Sequence, residues 1–365
     1  MKQALYIFLL FPILFVFSEF FRTDLTNFKT INLSFFLVYY LISFFGIFLF
    51  LNISSLPVYK KLSISVNSYF KILIIFSFSL FFFFILKNLG SFNLIDVVIF
   101  SEKYRNSYYK GSGIYTFLVL SFFPIVIAFF MLKSKEKDNW LIFGTILCLC
   151  ATFILGLRIY LFPIIIVLFI KYFSKKRNII SISFFVICIF LVLISFKYFL
   201  GGRVFTESSS LLDIIILTLS RTNYSALLHS GNINLLFEFI ESTLLSFFID
   251  KDLHDFKDYF HNVNFTNLSY YYPGINKTTG IAIPITVVLY NSLGFLSIIP
   301  FFALLMGIVL SYKKMLKTES LFLSYISFVF FISFLGILIE DVFFVSKIII
   351  NICFYPLIKI IHDKK

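Results

Sequence analysis

Unpaired cations are the residues of this sequence that most call for a ligand. Arg158 follows Gly156 and Leu157 at the start of an apolar run, with no acidic residue within ten positions. A charge at membrane depth is expensive, so it faces a cavity or a ligand, or it snorkels to the lipid head groups. Residues 211–229 carry the marks of an interfacial helix, with Ser210 and Asp213 at its start and Gly231 past its end. On it Arg221, Tyr224, Ser225 and Leu228 share a face, and His229 lies in the last turn, where the helix dipole favours a cation. Arg221 and His229 can hold a diphosphate, since guanidinium offers a bidentate fork to phosphate oxygens; contact with lipid phosphate is the other reading. Arg105 stands among Tyr104, Tyr108, Tyr109 and Lys110, a mixture that suits sugars and anions and suits an interfacial aromatic belt equally.

Two further clusters lie beyond these. Asp250 and Asp252 form an Asp-x-Asp pair, with His254, Asp258 and His261 at helical spacing behind them. Such carboxylates serve as a base or hold a metal, and a solvated polar face gives the same pattern. Tyr270, Tyr271 and Tyr272 precede Pro273-Gly274, and Lys277 precedes Thr278-Thr279-Gly280. A helix starting after Lys277, with Pro284 in its first turn, presents free N–H groups beside a cation and makes an anion site. Tyr290-Asn291-Ser292-Leu293-Gly294 then leads into an apolar run.

The elements that must position these residues are membrane helices. The 365 residues are 60% hydrophobic and 13% charged, with a mean hydropathy of +0.99, whereas charged residues make up about a quarter of a soluble protein. The 56 Phe, with abundant Ile, Lys and Asn, reflect compositional bias rather than a cofactor cage. Cys148, Cys150, Cys188 and Cys353 all sit in apolar runs, which speaks against a disulfide framework or a metal quartet. In an integral membrane protein the net charge of +13 does not point to nucleic acid; how it divides across the bilayer is the informative quantity.

Apolar runs near residues 4–21, 33–51, 70–86, 114–132, 140–156, 159–174, 179–199, 293–311, 320–338 and 342–360 give about ten spans, the first read as a retained helix. The expected fold class is therefore all-α, a polytopic membrane helix bundle. Seven spans fall in residues 1–199, a long external loop with short interfacial helices in 200–292, and three spans in 293–365. Lys60 and Lys61, then Lys133, Lys135 and Lys137, then Lys171, Lys175, Lys176 and Arg177, then Lys313, Lys314 and Lys317, and finally Lys359, Lys364 and Lys365 fall in alternate connections. That side is expected to be cytoplasmic, with both termini inside. Arg105, Arg158 and the long loop then share the outer face.

With these residues in place, the chain resembles the O-antigen polymerases, bacterial inner-membrane enzymes that join lipid-linked oligosaccharide repeat units. The resemblance rests on the plan of spans with one long late loop and on three stretches: Gly156-Leu157-Arg158, the Arg221 region, and Pro273-Gly274 through Thr279-Gly280 to Tyr290-Asn291-Ser292-Leu293-Gly294. Where some members have ten residues between an Arg and a Gly, Arg221 and Gly231 have nine between them, and Val287, Val288 and Leu289 stand where an acidic residue precedes the aromatic in others.

The resemblance implies a fold like that of the GT-C glycosyltransferases and glycosyl transfer from undecaprenyl-diphosphate-linked oligosaccharide, without a metal or other cofactor. It implies diphosphate and sugar binding by Arg105, Arg158, Arg221, Lys277, Tyr272 and Tyr290, with His229, Asp250 or Asp252 as base beside Arg221. Membrane lipids and a chain-length regulator protein are the implied partners. An O-antigen ligase and a flippase for lipid-linked sugars are the rival readings; Lys347 is the one clear cation inside a span, fewer than a flippase cavity requires.

Overall fold

The computed structural model describes residues 5, 9, 41–48, 64–89, 118–134, 138–155, 161–174, 233–246, 285–339 and 346–364. Among them the chain is helical throughout, apart from two three-residue strands. In order, β1 (Ile64–Val66) leads to α1 (Ser68–Leu89), and a π-helical turn at Leu118–Phe122 leads to α2 (Phe123–Lys133). Next come α3 (Asn139–Leu155), α4 (Phe162–Ser174), α5 (Ile233–Ser246) and α6 (Ile285–Leu293). A 3₁₀ turn at Gly294–Ser297 joins α6 to α7 (Ile298–Lys317), followed by α8 (Leu321–Ile339), α9 (Ser346–Cys353), α10 (Tyr355–Ile361) and β2 (His362–Lys364). Residues 41–48 are also helical.

Three stretches among the described residues are long and apolar enough to cross a membrane: Ser68–Lys87, Ile285–Lys317 and Leu321–Leu338. Leu118–Lys133, Asn139–Thr152 and Phe162–Lys171 are shorter apolar helices.

The centre of the packing is α2. Every residue of it except Met131 is buried, as expected of a helix that is apolar all round. Phe123 meets Phe70 and Phe78 of α1 at 6.2 and 5.7 Å between ring centroids, while Phe130 meets Phe70 at 6.0 Å, so α1 and α2 run antiparallel. On another side Phe129 packs edge-on against Tyr325 of α8 at 5.3 Å. α3 closes on both α1 and α2 at Gly144, where an added Cβ would lie 2.8 Å from the Cδ1 atoms of both Ile74 and Ile127. The absent side chain is what lets three helices approach, the usual use of small residues between membrane helices. Away from these contacts α1 exposes Ile72, Ile75, Phe76 and Phe83, and α3 exposes Ile142, Phe143, Ile146 and Leu149, the apolar faces of helices that border lipid. Cys148 is buried, and Cys150 and Cys353 are exposed and free.

Two elements differ from their sequence expectation. The span expected at 293–311 is a helix over Ile298–Lys317, so Lys314 and Lys317 sit in its last turn rather than in a connection, where the dipole favours cations. The span expected at 342–360 is two helices, α9 and α10, with a turn at Phe354. Pro356 stands in the first turn of α10; having no N–H, it cannot continue the hydrogen-bond ladder of α9.

Three of the basic groups used to orient the chain come together at one end of the bundle. Lys133 closes α2 and donates from Nζ to the Met315 carbonyl at 2.6 Å and the Thr318 carbonyl at 3.4 Å, where α7 ends. Asn67, just before α1, donates to the Ile360 carbonyl at 2.6 Å and accepts from the Phe70 N–H at 3.2 Å. It thereby caps α1 and ties it to α10. Beside it β1 and β2 pair antiparallel, with Ile64 opposite Lys364. The Lys71 ammonium lies over the Trp140 ring at 5.4 Å, and the Asp138 carboxylate caps α3 by accepting from the Trp140 N–H at 2.8 Å.

Candidate functional site

Of the residues expected to bind or react, Tyr290 is the one within the described structure. Arg105, Arg158, Arg221, His229, Asp250, Asp252, Tyr272 and Lys277 lie outside the described residues, as do the interfacial helix expected at 211–229 and the helix start expected after Lys277. Tyr290 is buried, at 3% exposure, on α6.

The stretch from Ile285 to Lys317 comprises 33 residues. At ~1.5 Å per residue it would be about 50 Å long as one helix, well beyond a hydrocarbon core of about 30 Å. The 20 residues of α7 suffice for the crossing by themselves. The chain breaks before that crossing, at Gly294, whose φ of 56° is a left-handed conformation that only glycine adopts cheaply. Ser297 fastens the break by donating from Oγ to the Gly294 carbonyl, one of the groups that a broken helix would otherwise leave unpaired. On the outside of the turn Phe295, Leu296 and Ile299 are 65–69% exposed. Such an apolar surface around a helix break belongs at bilayer depth. There, non-helical backbone is tolerated only when buried in protein or lining a cavity.

α6 therefore forms a separate short layer at this end of the bundle. It packs against α5 and touches α7 and α8. Every residue from Ile285 to Ser292 is buried. α5 supplies the cover through Leu235, Phe239 and Ser242, which recur at helical spacing and are buried. The opposite face of α5 exposes Ile233, Phe237 and Ile240 together with Glu238 and Glu241. Residues 233–246 fall within the expected long external loop, outside its expected interfacial helix at 211–229. The signal that would have found α5 is the run Leu235, Phe239, Ser242, spaced by four and three.

α6 is apolar on most of its surface yet carries Thr286, Tyr290, Asn291 and Ser292 into the interior. Ser292 donates to the Val288 carbonyl one turn back at 2.7 Å, the usual solution for a buried hydroxyl on a helix. Asn291 makes no such bond. It is 0% exposed, and neither Nδ2 nor Oδ1 has a hydrogen-bond partner among the described residues; Thr286 Oγ1 is in the same position. A buried polar group left unsatisfied costs ~1–3 kcal/mol, and buried hydroxyls of Ser43, Ser77, Ser121 and Ser333 elsewhere in the bundle are likewise without a partner among the described residues. The burial of Asn291 is set by tertiary packing and cannot be read from residue spacing. No group of three His, Cys, Asp or Glu side chains that could hold a metal occurs among the described residues. Compared with protein-family models, with curated proteins and with solved structures, the chain matches none.

Proposed function

We propose that this chain polymerises lipid-linked oligosaccharide repeat units on the outer face of the bacterial inner membrane. In this reading a hydroxyl of one repeat attacks the anomeric carbon of another. The new glycosidic bond forms as the bond to the diphosphate breaks, the electron pair leaves with undecaprenyl diphosphate, and a base such as His229, Asp250 or Asp252 takes the hydroxyl proton. Arg158, Arg221 and either Arg105 or Lys277 stabilise the charge growing on the diphosphate, since cations aimed at developing charge lower the barrier most effectively in a site shielded from water. The frame is a GT-C-like bundle of about ten spans with both termini in the cytoplasm. The basic end at Lys133 and Lys317 faces inward, and the Gly294 end faces outward.

The observation that supports this reading best is the broken helix at Gly294 preceded by the buried Tyr290-Asn291-Ser292. Discontinuous helices in membrane proteins mark the places where polar substrates meet the bilayer, and this break falls in the stretch that carries the family resemblance. Deleting the gene and separating surface polysaccharide on a gel tests it. Loss of a polymerase leaves core bearing a single repeat, whereas loss of a ligase or flippase leaves bare core. An unchanged ladder rejects all three. Arg221→Ala in the complemented strain is expected to abolish long chains at normal membrane levels, and a full-length ladder from it would remove Arg221 from the site.

A further inference from the structure

We infer that α5 is an in-plane lipid-binding helix: it lies along the boundary between bilayer and water, with Ile233, Phe237 and Ile240 set among the acyl chains. The inference goes beyond the polymerase reading and does not depend on it. Its ground is the way α5 divides around its own axis. At about 100° per residue, Leu235, Phe239 and Ser242 form one sector, which is buried where α5 packs on α6. Asn234, Glu238 and Glu241 form a second sector, and Ile233, Phe237 and Ile240 a third. Both are exposed, and the three sectors stand roughly 120° apart. A helix between a protein core and water needs two faces. α5 has three, one for protein, one for water and one for lipid.

Length and polarity place the third sector in lipid. The 14 residues of α5 make a helix about 21 Å long, too short to cross a hydrocarbon core of about 30 Å. Standing upright in the bilayer, it would carry the stripe of Asn234, Glu238 and Glu241 into hydrocarbon, where acidic side chains are costly. The lipid-bordering helices α1 and α3 contain no Asp or Glu at all, so this stripe sets α5 apart from an upright span. Wholly in water, α5 would instead leave Ile233, Phe237 and Ile240, which are 45–62% exposed, as an uncovered apolar strip. Lying flat removes both costs, and it is the arrangement of interfacial amphipathic helices. The neighbours of α5 put it at the right depth. It packs on α6, which stands just past the end of α7, and the turn between α6 and α7 exposes Phe295, Leu296 and Ile299.

The test is a depth measurement on the purified full chain in phosphatidylcholine vesicles. Trp140, the one tryptophan of the sequence, is replaced by Phe, and single indoles are introduced by Ile233→Trp, Phe237→Trp, Ile240→Trp or Asn234→Trp. All of these positions are exposed, and a melting temperature in detergent checks that each variant folds. Quenching by lipids brominated at different depths is compared with quenching by iodide in water. The indoles at 233, 237 and 240 are expected to be quenched most by shallow bromines and to give one common depth, whereas the indole at 234 is expected to be quenched by iodide. An upright helix would separate the indoles at 233 and 240 by about 10 Å in depth, the rise of seven residues, and would overturn the proposal. So would an indole at 237 that iodide quenches and bromines do not, since that face would then lie in water. An indole at 237 that neither reaches would lie under protein, in a purified sample a second copy of this chain, and that result also overturns the proposal. None of these outcomes touches the polysaccharide phenotype by which the polymerase reading is tested.

Discussion

At one end of the bundle Lys133, buried with 0% exposure, finds the carbonyls of Met315 and Thr318, and Asn67 uses both atoms of its amide on Ile360 and Phe70. At the other end of α7, 20 residues away and thus about 30 Å along its axis, a second asparagine, Asn291, uses neither atom among the described residues. The two ends are built from similar polar side chains, Lys133 and Asn291 fully buried and Asn67 half-buried, and they differ in whether the partners are supplied from within. Where the chain supplies them, the polar group fixes helix ends to one another. Where it does not, the polar group ties nothing together and its burial costs stability.

This contrast can be broken by substitution. The largest effect is expected from Lys133→Met, which removes the donor from two carbonyls at the end of α7. Hydrogen bonds to charged groups are worth ~1.5–3 kcal/mol, and a thermal melt in detergent should show a loss of about that size; an unchanged melt would mean that the basic end is no better tied than the Gly294 end. A smaller loss, ~1 kcal/mol, is expected for Asn67→Ala, because that is the usual worth of a helix N-cap. Measured beside Asn291→Leu it sharpens the contrast, since the two asparagines should then move the melting temperature in opposite directions or one of them not at all. The smallest effect is expected from Ser327→Ala, whose hydroxyl bonds back onto its own helix at Leu323. Ser327 is buried, so a loss of ~0.5 kcal/mol is expected, the low end of the net worth of a hydrogen bond, and a larger loss would show that such hydroxyls matter beyond their own helix.

The helices were legible to the degree that one property, apolar length, decides them. The segments 70–86 and 320–338 correspond closely to α1 and α8, since a long run with almost no charge must satisfy its own backbone hydrogen bonds as helix. Residues 293–311 and 342–360 were less legible. There the local φ of Gly294 and the missing N–H of Pro356 set the helix limits within runs of uniform hydropathy. α5 is hard to read because its buried stripe, Leu235, Phe239 and Ser242, is short and is interleaved with exposed apolar residues such as Phe237 and Ile240. Of the candidate site, Tyr290 could be placed in the structure, and Asn291 emerged only from it.

By itself the sequence determined the class of the protein, because 60% hydrophobic residues in long runs call for apolar helices. Tertiary structure decided what each polar residue meets. Lys133 reads as a loop cation and is a buried clasp, and Asn67 and Asn291 are the same residue type with opposite fates. The reason is physical: hydropathy is summed along the chain and survives in one dimension, whereas the satisfaction of a hydrogen bond depends on partners that folding brings from far away, 182 residues in the case of Lys133 and Met315.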